Sequence, residues 1–267
     1  MFASAYVHFG VRTVRLRSDQ RGWQDGPPRR PPAAPPQPPR ERCRTTMAII
    51  HHTTVSPTKL ELLAPWLLTQ PWYAGDGRAP ELARTGGFRL DDPEGEVGME
   101  FMVATDTAGP EPVAYHVPFT YRGAPLDGAD HALVGTLEHG VLGKRWVYDG
   151  THDPVLATQL FACLLGKAAP QAQSETDALD PTVLPHFTES GHEGATGPES
   201  VTQGETATDI HVRSSRPLVL RVHRVLAAAE EPAGGSLGHI SAPWTDAAGE
   251  KARGVFVTVH EGGESGS

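Results

Sequence analysis

Val113-Ala114-Tyr115-His116-Val117-Pro118-Phe119-Thr120-Tyr121 puts an apolar or aromatic residue at every second position without a break. A pleated strand turns successive side chains to opposite faces, so this period predicts a strand with one buried face. Pro118 lies inside the run and has no N–H for a ladder, which predicts an edge strand or a bulge. Outward on the N-terminal side, Gly87–Leu90 and Met99–Val103 flank an Asp92-Pro93-Glu94-Gly95 turn and read as a hairpin. On the C-terminal side Lys144–Asp149 reads as a further strand. Ile210–Arg213 and Leu218–Leu226 surround a Ser-Ser-Arg-Pro turn, and Gly254–Val259 supplies a last strand.

Helical signals are fewer. A short strand at Ala48–His51 precedes Ser56-Pro57, which offers a capping hydroxyl followed by proline at the first helical position. Leu60, Leu62, Leu63, Trp66 and Leu67 follow at helical spacing. Pro65 predicts a kink or an early end, and Gly75 could take the positive φ that closes a helix. Asp153-Pro154 repeats the cap-plus-proline device before Val155, Leu156, Leu160, Phe161, Leu164 and Leu165, with Gly166 as the stop. Cys163 lies beside that stripe and reads as buried apolar filler. The fold class expected is α+β: an antiparallel sheet of about six or seven strands with two helices packed on it.

Composition sets boundaries. The 267 residues carry a formal charge of −9, unevenly spread. Residues 1–46 hold nine Arg against three acidic residues, a balance of +6 that leaves −15 on residues 47–267. Eight prolines in the fifteen positions Gly26–Arg40 predict an extended, disordered tail. That tail has the Arg-rich, acid-poor character of a transit peptide but no amphipathic face, and a basic arm on an acidic surface is an alternative. The simplest reading makes Met47 the translation start. Only four of the 23 basic residues are Lys, as a GC-rich coding sequence would give. Residues 47–166 read as the principal folded region and 207–260 as its closing strands, with 261–267 a flexible tail. Residues 167–206 lose all periodicity, and positions 171–209 hold eight acidic residues without Lys or Arg, so a disordered linker or insertion is expected.

No apolar run is long enough to span a bilayer as a helix, and the acidic balance disfavours nucleic acid. Two cysteines, Cys43 and Cys163, cannot build a disulfide framework, so a reducing cytoplasmic setting is expected. There is no GxGxxG, Walker A or HExxH signature, and the Glu189-Ser190-Gly191-His192-Glu193 stretch lacks the GxSxG nucleophile elbow. His51 and His52 are adjacent in a strand-like segment and point to opposite faces. His131 and His139, or His186 and His192, lack ligand spacing, so no metal and no cofactor is expected. Thr151-His152-Asp153 contains a His-Asp pair, but a helix cap accounts for the Asp. No catalytic residue is assigned.

The unusual stretch is WLLTQPWYAGDGR, Trp66 to Arg78. Its large aromatics could fill a core or anchor an interface, since exposed Trp, Tyr and Arg dominate interface energetics. Trp66, Gln70, Trp72, Tyr73, Ala74, Gly75 and Arg78 are the candidate contact residues. This pattern resembles the N-terminal cap domain of bacterial maltokinases and related glucosamine kinases, where a first helix ends in WL…Q-x-WYAGKGR. Asp76 stands where Lys is common in the family. The resemblance continues through Val117–Gly123, Leu133–His139, Arg145–Asp149 and the Asp153-Pro154 start, so it covers about Met47 to Gly166.

It implies a cystatin-like α+β cap with a helix across an antiparallel sheet. In the family the cap precedes a kinase domain that phosphorylates maltose with ATP and feeds maltose 1-phosphate into α-glucan synthesis. Here the residues after the cap-like region carry no two-lobed kinase pattern, so no ATP-binding or catalytic residue carries over. The leading expectation is a non-catalytic module that docks on a protein partner, a kinase or glucan-metabolising enzyme. Two alternatives stand beside it. One is a small-ligand binder with Tyr115, Tyr121, Trp146 and Tyr148 lining a pocket; the other is an accessory part of a sugar kinase whose catalysis is supplied elsewhere.

Overall fold

The computed structural model describes residues 55–173, 178–188, 196–213, 216–229, 232 and 234–262. Strand makes up 48% of these residues and helix 14%, so the fold class is mainly β and the expected α+β sheet of six or seven strands is corrected. Fourteen strands join one antiparallel sheet. They are β1 (Val55–Ser56), β2 (Leu82–Leu90), β3 (Gly98–Asp106), β4 (Val113–Arg122), β5 (Leu133–His139), β6 (Gly143–Asp149) and β7 (Gln171–Ala172), then β8 (Leu184–Phe187), β9 (Thr196–Gln203), β10 (Ala207–Arg213), β11 (Leu218–His223), β12 (Val225–Leu226), β13 (Gly238–Thr245) and β14 (Lys251–Glu261). Two α-helices, α1 (Lys59–Leu67) and α2 (Pro154–Leu164), pack on it. The predicted strand at Ala48–His51 lies outside the described residues.

The undercount has a specific cause. The stretch 167–206, expected to be linker, contributes β7, β8 and β9. Their sequences are short or polar because β8 and β9 each pair along one edge only, with β13 and β10. Strand β13 was missed as well. Ile240, Ala242 and Trp244 alternate there and are buried, but Pro243 and His239 interrupt the apolar reading.

Seven strands close a ring. β4 pairs β3 along its length, β3 pairs β2, and β2 meets β13 at the single pair Gly86–Trp244. β13 pairs β14, β14 pairs β11, and β11 continues through Arg224 into β12, which pairs β4. Rings from non-neighbouring strands meet inside: His116 of β4 lies 4.6 Å from Phe256 of β14, and Phe88 of β2 lies 6.0 Å from the same ring. Phe88 and Phe101 stack at 4.5 Å, and Trp244 completes the group at 6.3 Å from Phe256.

β4 therefore has both faces buried, which its alternation did not foretell. Tyr115, Val117 and Phe119 pack under α1 with Met102, Leu63, Leu67 and Trp72. His116 and Thr120, on the opposite face, are wholly buried too. Nor is β4 an edge strand. His116 N–H donates to Arg224 O at 2.8 Å, and antiparallel alternation aims position 118 at the same edge. The β12 pairing stops at Tyr115 and the β6 pairing begins at Phe119, so Pro118 sits in the fork between them, where no N–H is required.

Arg224 plugs that fork. Its side chain is fully buried, donates to Asp149 Oδ2 at 2.5 Å and to Thr208 Oγ1 at 2.8 Å, and lies 5.0 Å over the Trp72 ring. A paired and hydrogen-bonded guanidinium can be buried where a lone one could not.

The helix ends obey local rules. The N-cap of α1 is Thr58 rather than Ser56, with a reciprocal Glu61 capping box. Pro65 stays inside α1, which ends two residues later at a Leu68 C-cap. On the sheet side Lys59 pairs with the buried Glu100, which also accepts from Tyr121 at 2.7 Å. Burial pushes the Glu100 carboxyl up, but the Lys59 charge and these hydrogen bonds outweigh it and hold the group below the usual range. α2 has the Asp153 cap, Pro154 at its start and Gly166 at φ 69° beyond its end, as the sequence predicts. Cys163 is buried there and its thiol is pushed up to about 12.

Candidate functional site

The chain leaving α1 turns back on itself under the control of two tyrosines. Gln70 N–H closes a turn onto Leu67 O, and Tyr73 N–H onto Gln70 O. Trp72 then drops into the core at 1% exposure, edge-on to Trp66 at 5.7 Å and tilted against Tyr115 at 5.9 Å. Tyr73 is half-buried, with its ring 5.7 Å from that of Tyr115. Ala74 N–H donates to the Tyr115 hydroxyl at 3.0 Å, pinning the start of the exposed turn.

Gly75 has a steric reason. A Cβ there would lie 2.1 Å from the Tyr73 ring, so the ring lies against the bare backbone. The positive φ of this segment belongs to Gly77, at 87°, not to Gly75. The Tyr73 hydroxyl donates toward Asp106 Oδ2 at 3.2 Å. Burial and then the Asp106 charge push that phenol up to about 12. Asp106 Oδ1 also accepts from Glu81 N–H at 2.8 Å and Ala108 N–H at 3.0 Å, fixing the segment after β3 against the turn. Arg78 closes the turn, its Nε on Asp76 Oδ2 at 2.9 Å and its Nη1 on Ala108 O at 3.1 Å. The Arg78 hydrogen bond holds the Asp76 carboxyl below its ordinary range.

Between the two segments lies a cavity of about 360 Å³, lined by Tyr73–Asp76 and Arg78 on one side and by Asp106, Ala108–Glu111, Val113 and Tyr115 on the other. Of the sequence-predicted residues, Tyr73, Ala74, Gly75 and Arg78 meet here. Trp72 belongs to the core, while Trp66 and Gln70 are half-buried at the helix end and do not line the cavity. Sequence reasoning missed Asp106 and the Ala108–Glu111 segment, whose one signal is a Gly109-Pro110 turn after a strand. Of the four aromatics proposed for a pocket, only Tyr115 reaches it. Tyr121 bonds Glu100, while Trp146 and Tyr148 form a small separate cluster with Ala129 and Ala132.

Asp153 caps α2 and accepts from Arg122 Nε and Nη2 at 2.7 Å each, and His152 contacts His131 at 3.1 Å. Among the described residues no group of three or more His, Cys, Asp or Glu could hold a metal, and no helix is long and apolar enough to cross a membrane.

The fold and site thus define a helix-capped β module with an exposed, hydrogen-bonded turn bordering a small cavity. Residues 66–153, a third of the chain, match the family model of the maltokinase N-terminal cap domain. The match runs from the last turn of α1 to the N-cap of α2 and so includes the whole WYAG turn. No curated protein matches the chain.

Proposed function

We propose that the protein is a non-catalytic docking module whose contact surface is the exposed turn from Ala74 to Arg78 with the facing Ala108–Glu111 segment. The partner is an enzyme of maltose-phosphate or α-glucan metabolism, met in the cytoplasm. The observation that carries this reading is the division of one motif into two jobs. Trp72 joins the core against Tyr115, while Ala74, Gly75, Asp76 and Arg78 stay exposed and hydrogen bonds hold Ala74, Asp76 and Arg78 in place. A pre-ordered exposed turn loses little entropy on binding, which favours recognition. The match to a cap domain supports a partner of kinase or glucan chemistry.

The test is affinity capture from the source-cell extract with the full chain as bait and an Asp76→Lys, Glu111→Lys variant as control. Both substitutions sit on exposed positions, so the fold should survive. Capture of a sugar kinase or glucan enzyme, lost with the variant, is the expected result; a captured set identical for the two baits contradicts the reading. The cavity favours a second reading, small-ligand binding, for which 360 Å³ is at the small end of the usual range. A rise in unfolding midpoint with a sugar or sugar phosphate would support it.

A further inference from the structure

We infer that the cavity beside the Tyr73–Arg78 turn seats an arginine side chain of the partner, an inference that rests on the docking reading above. Tyr73 provides a half-buried ring on the cavity wall, backed by the buried Tyr115 ring 5.7 Å away and 38° from parallel. The lining contains three carboxylates, Asp76, Asp106 and Glu111, against the single cation Arg78.

These charges are not equivalent. Asp106 is committed to two backbone N–H groups and to the Tyr73 hydroxyl. Arg78 is turned onto Asp76 and Ala108 O, so its charge is spent on the rim. Glu111 has no ion-pair partner among the described residues. A visiting cation would find the Glu111 carboxylate from one segment, the shareable Asp76 carboxylate from the other, and the Tyr73 ring between them. Aromatic faces attract cations, and a planar guanidinium can stack on a ring while bonding a carboxylate with two nitrogens, which an ammonium cannot. The charge of −15 on residues 47–267 steers the same class of partner toward the surface.

The experiment is a ¹H–¹⁵N titration of the full chain with Nα-acetyl-arginine amide, beside its neutral isostere Nα-acetyl-citrulline amide. Saturating shifts at the Ala74, Gly75 and Gly109 amides are expected with arginine, at least ten-fold weaker with citrulline. Glu111→Gln should weaken arginine binding at least five-fold without moving the unfolding midpoint. An equal response to both amides, or no saturable shift at those amides, overturns the inference. If arginine fails while the Asp76→Lys, Glu111→Lys variant still loses its captured partner, docking stands and the arginine seat alone falls.

Discussion

Gly75 shows how one missing atom shapes the site. The Tyr73 ring occupies the place of its Cβ, so Gly75→Ala should displace the ring and cost about 1–3 kcal/mol, as overpacking does. Denaturant unfolding with Tyr73→Ala as a comparison checks it: the double variant should be no less stable than Tyr73→Ala alone. His116 offers a residue-scale prediction of a different kind. Enclosed by Phe101 and Phe256, its imidazole is pushed down to about 3, by burial first and the Arg224 charge second. The unfolded chain therefore binds this proton and the folded chain does not over the window between about 6.5 and 3. Stability from this group is complete above that window and is lost as pH falls through it. A His116→Phe variant that keeps the fold should lose stability less steeply between pH 6.5 and 3 than the parent; parallel pH curves would remove His116 from the account.

At the scale of elements, legibility followed the strength of the local signal. The α2 segment was readable because Asp153, Pro154 and Gly166 mark its ends and its apolar stripe has one period. β4 was readable as a strand but not as a central one, because Pro118 ordinarily excludes that place and only the β12–β6 fork admits it. β9 was hidden by its composition, TGPESVTQ, which an edge strand tolerates and a solvated linker shares. Arg224 was hidden because charge normally predicts exposure, whereas here Asp149, Thr208 and Trp72 enclose it. Removing one partner leaves an unpaired buried charge, so Arg224→Ala should cost about 3–5 kcal/mol. Adding Asp149→Ala to it should cost much less than the sum of the two single changes, a coupling that equilibrium unfolding measures.

At the scale of the whole molecule, the site was half legible. The motif's sequence announced Tyr73, Ala74, Gly75 and Arg78. The opposing Ala108–Glu111 segment comes into register only through the β2–β3–β4 pairing, which a linear reading does not supply. The same topology binds the matched region to the rest. β12 pairs β4, β13 meets β2, and Asp149 receives Arg224 from beyond the match. Residues 66–153 alone would expose the ring interior at Phe88, Phe101 and His116. The excised segment is expected to lack a cooperative thermal transition, whereas the full chain should show one; an excised segment that melts cooperatively near the full chain's midpoint would contradict that dependence.

On the docking proposal, the motif's exposed half recognises a partner and its buried half supports the fold. The direct test measures partner capture and unfolding midpoint together for two sets of variants of the full chain. Arg78→Ala and the Asp76→Lys, Glu111→Lys pair are expected to lose capture with the midpoint unchanged, while Trp72→Ala is expected to lower the midpoint by several degrees. Exposed variants that capture the same proteins as the parent at undiminished yield would contradict it.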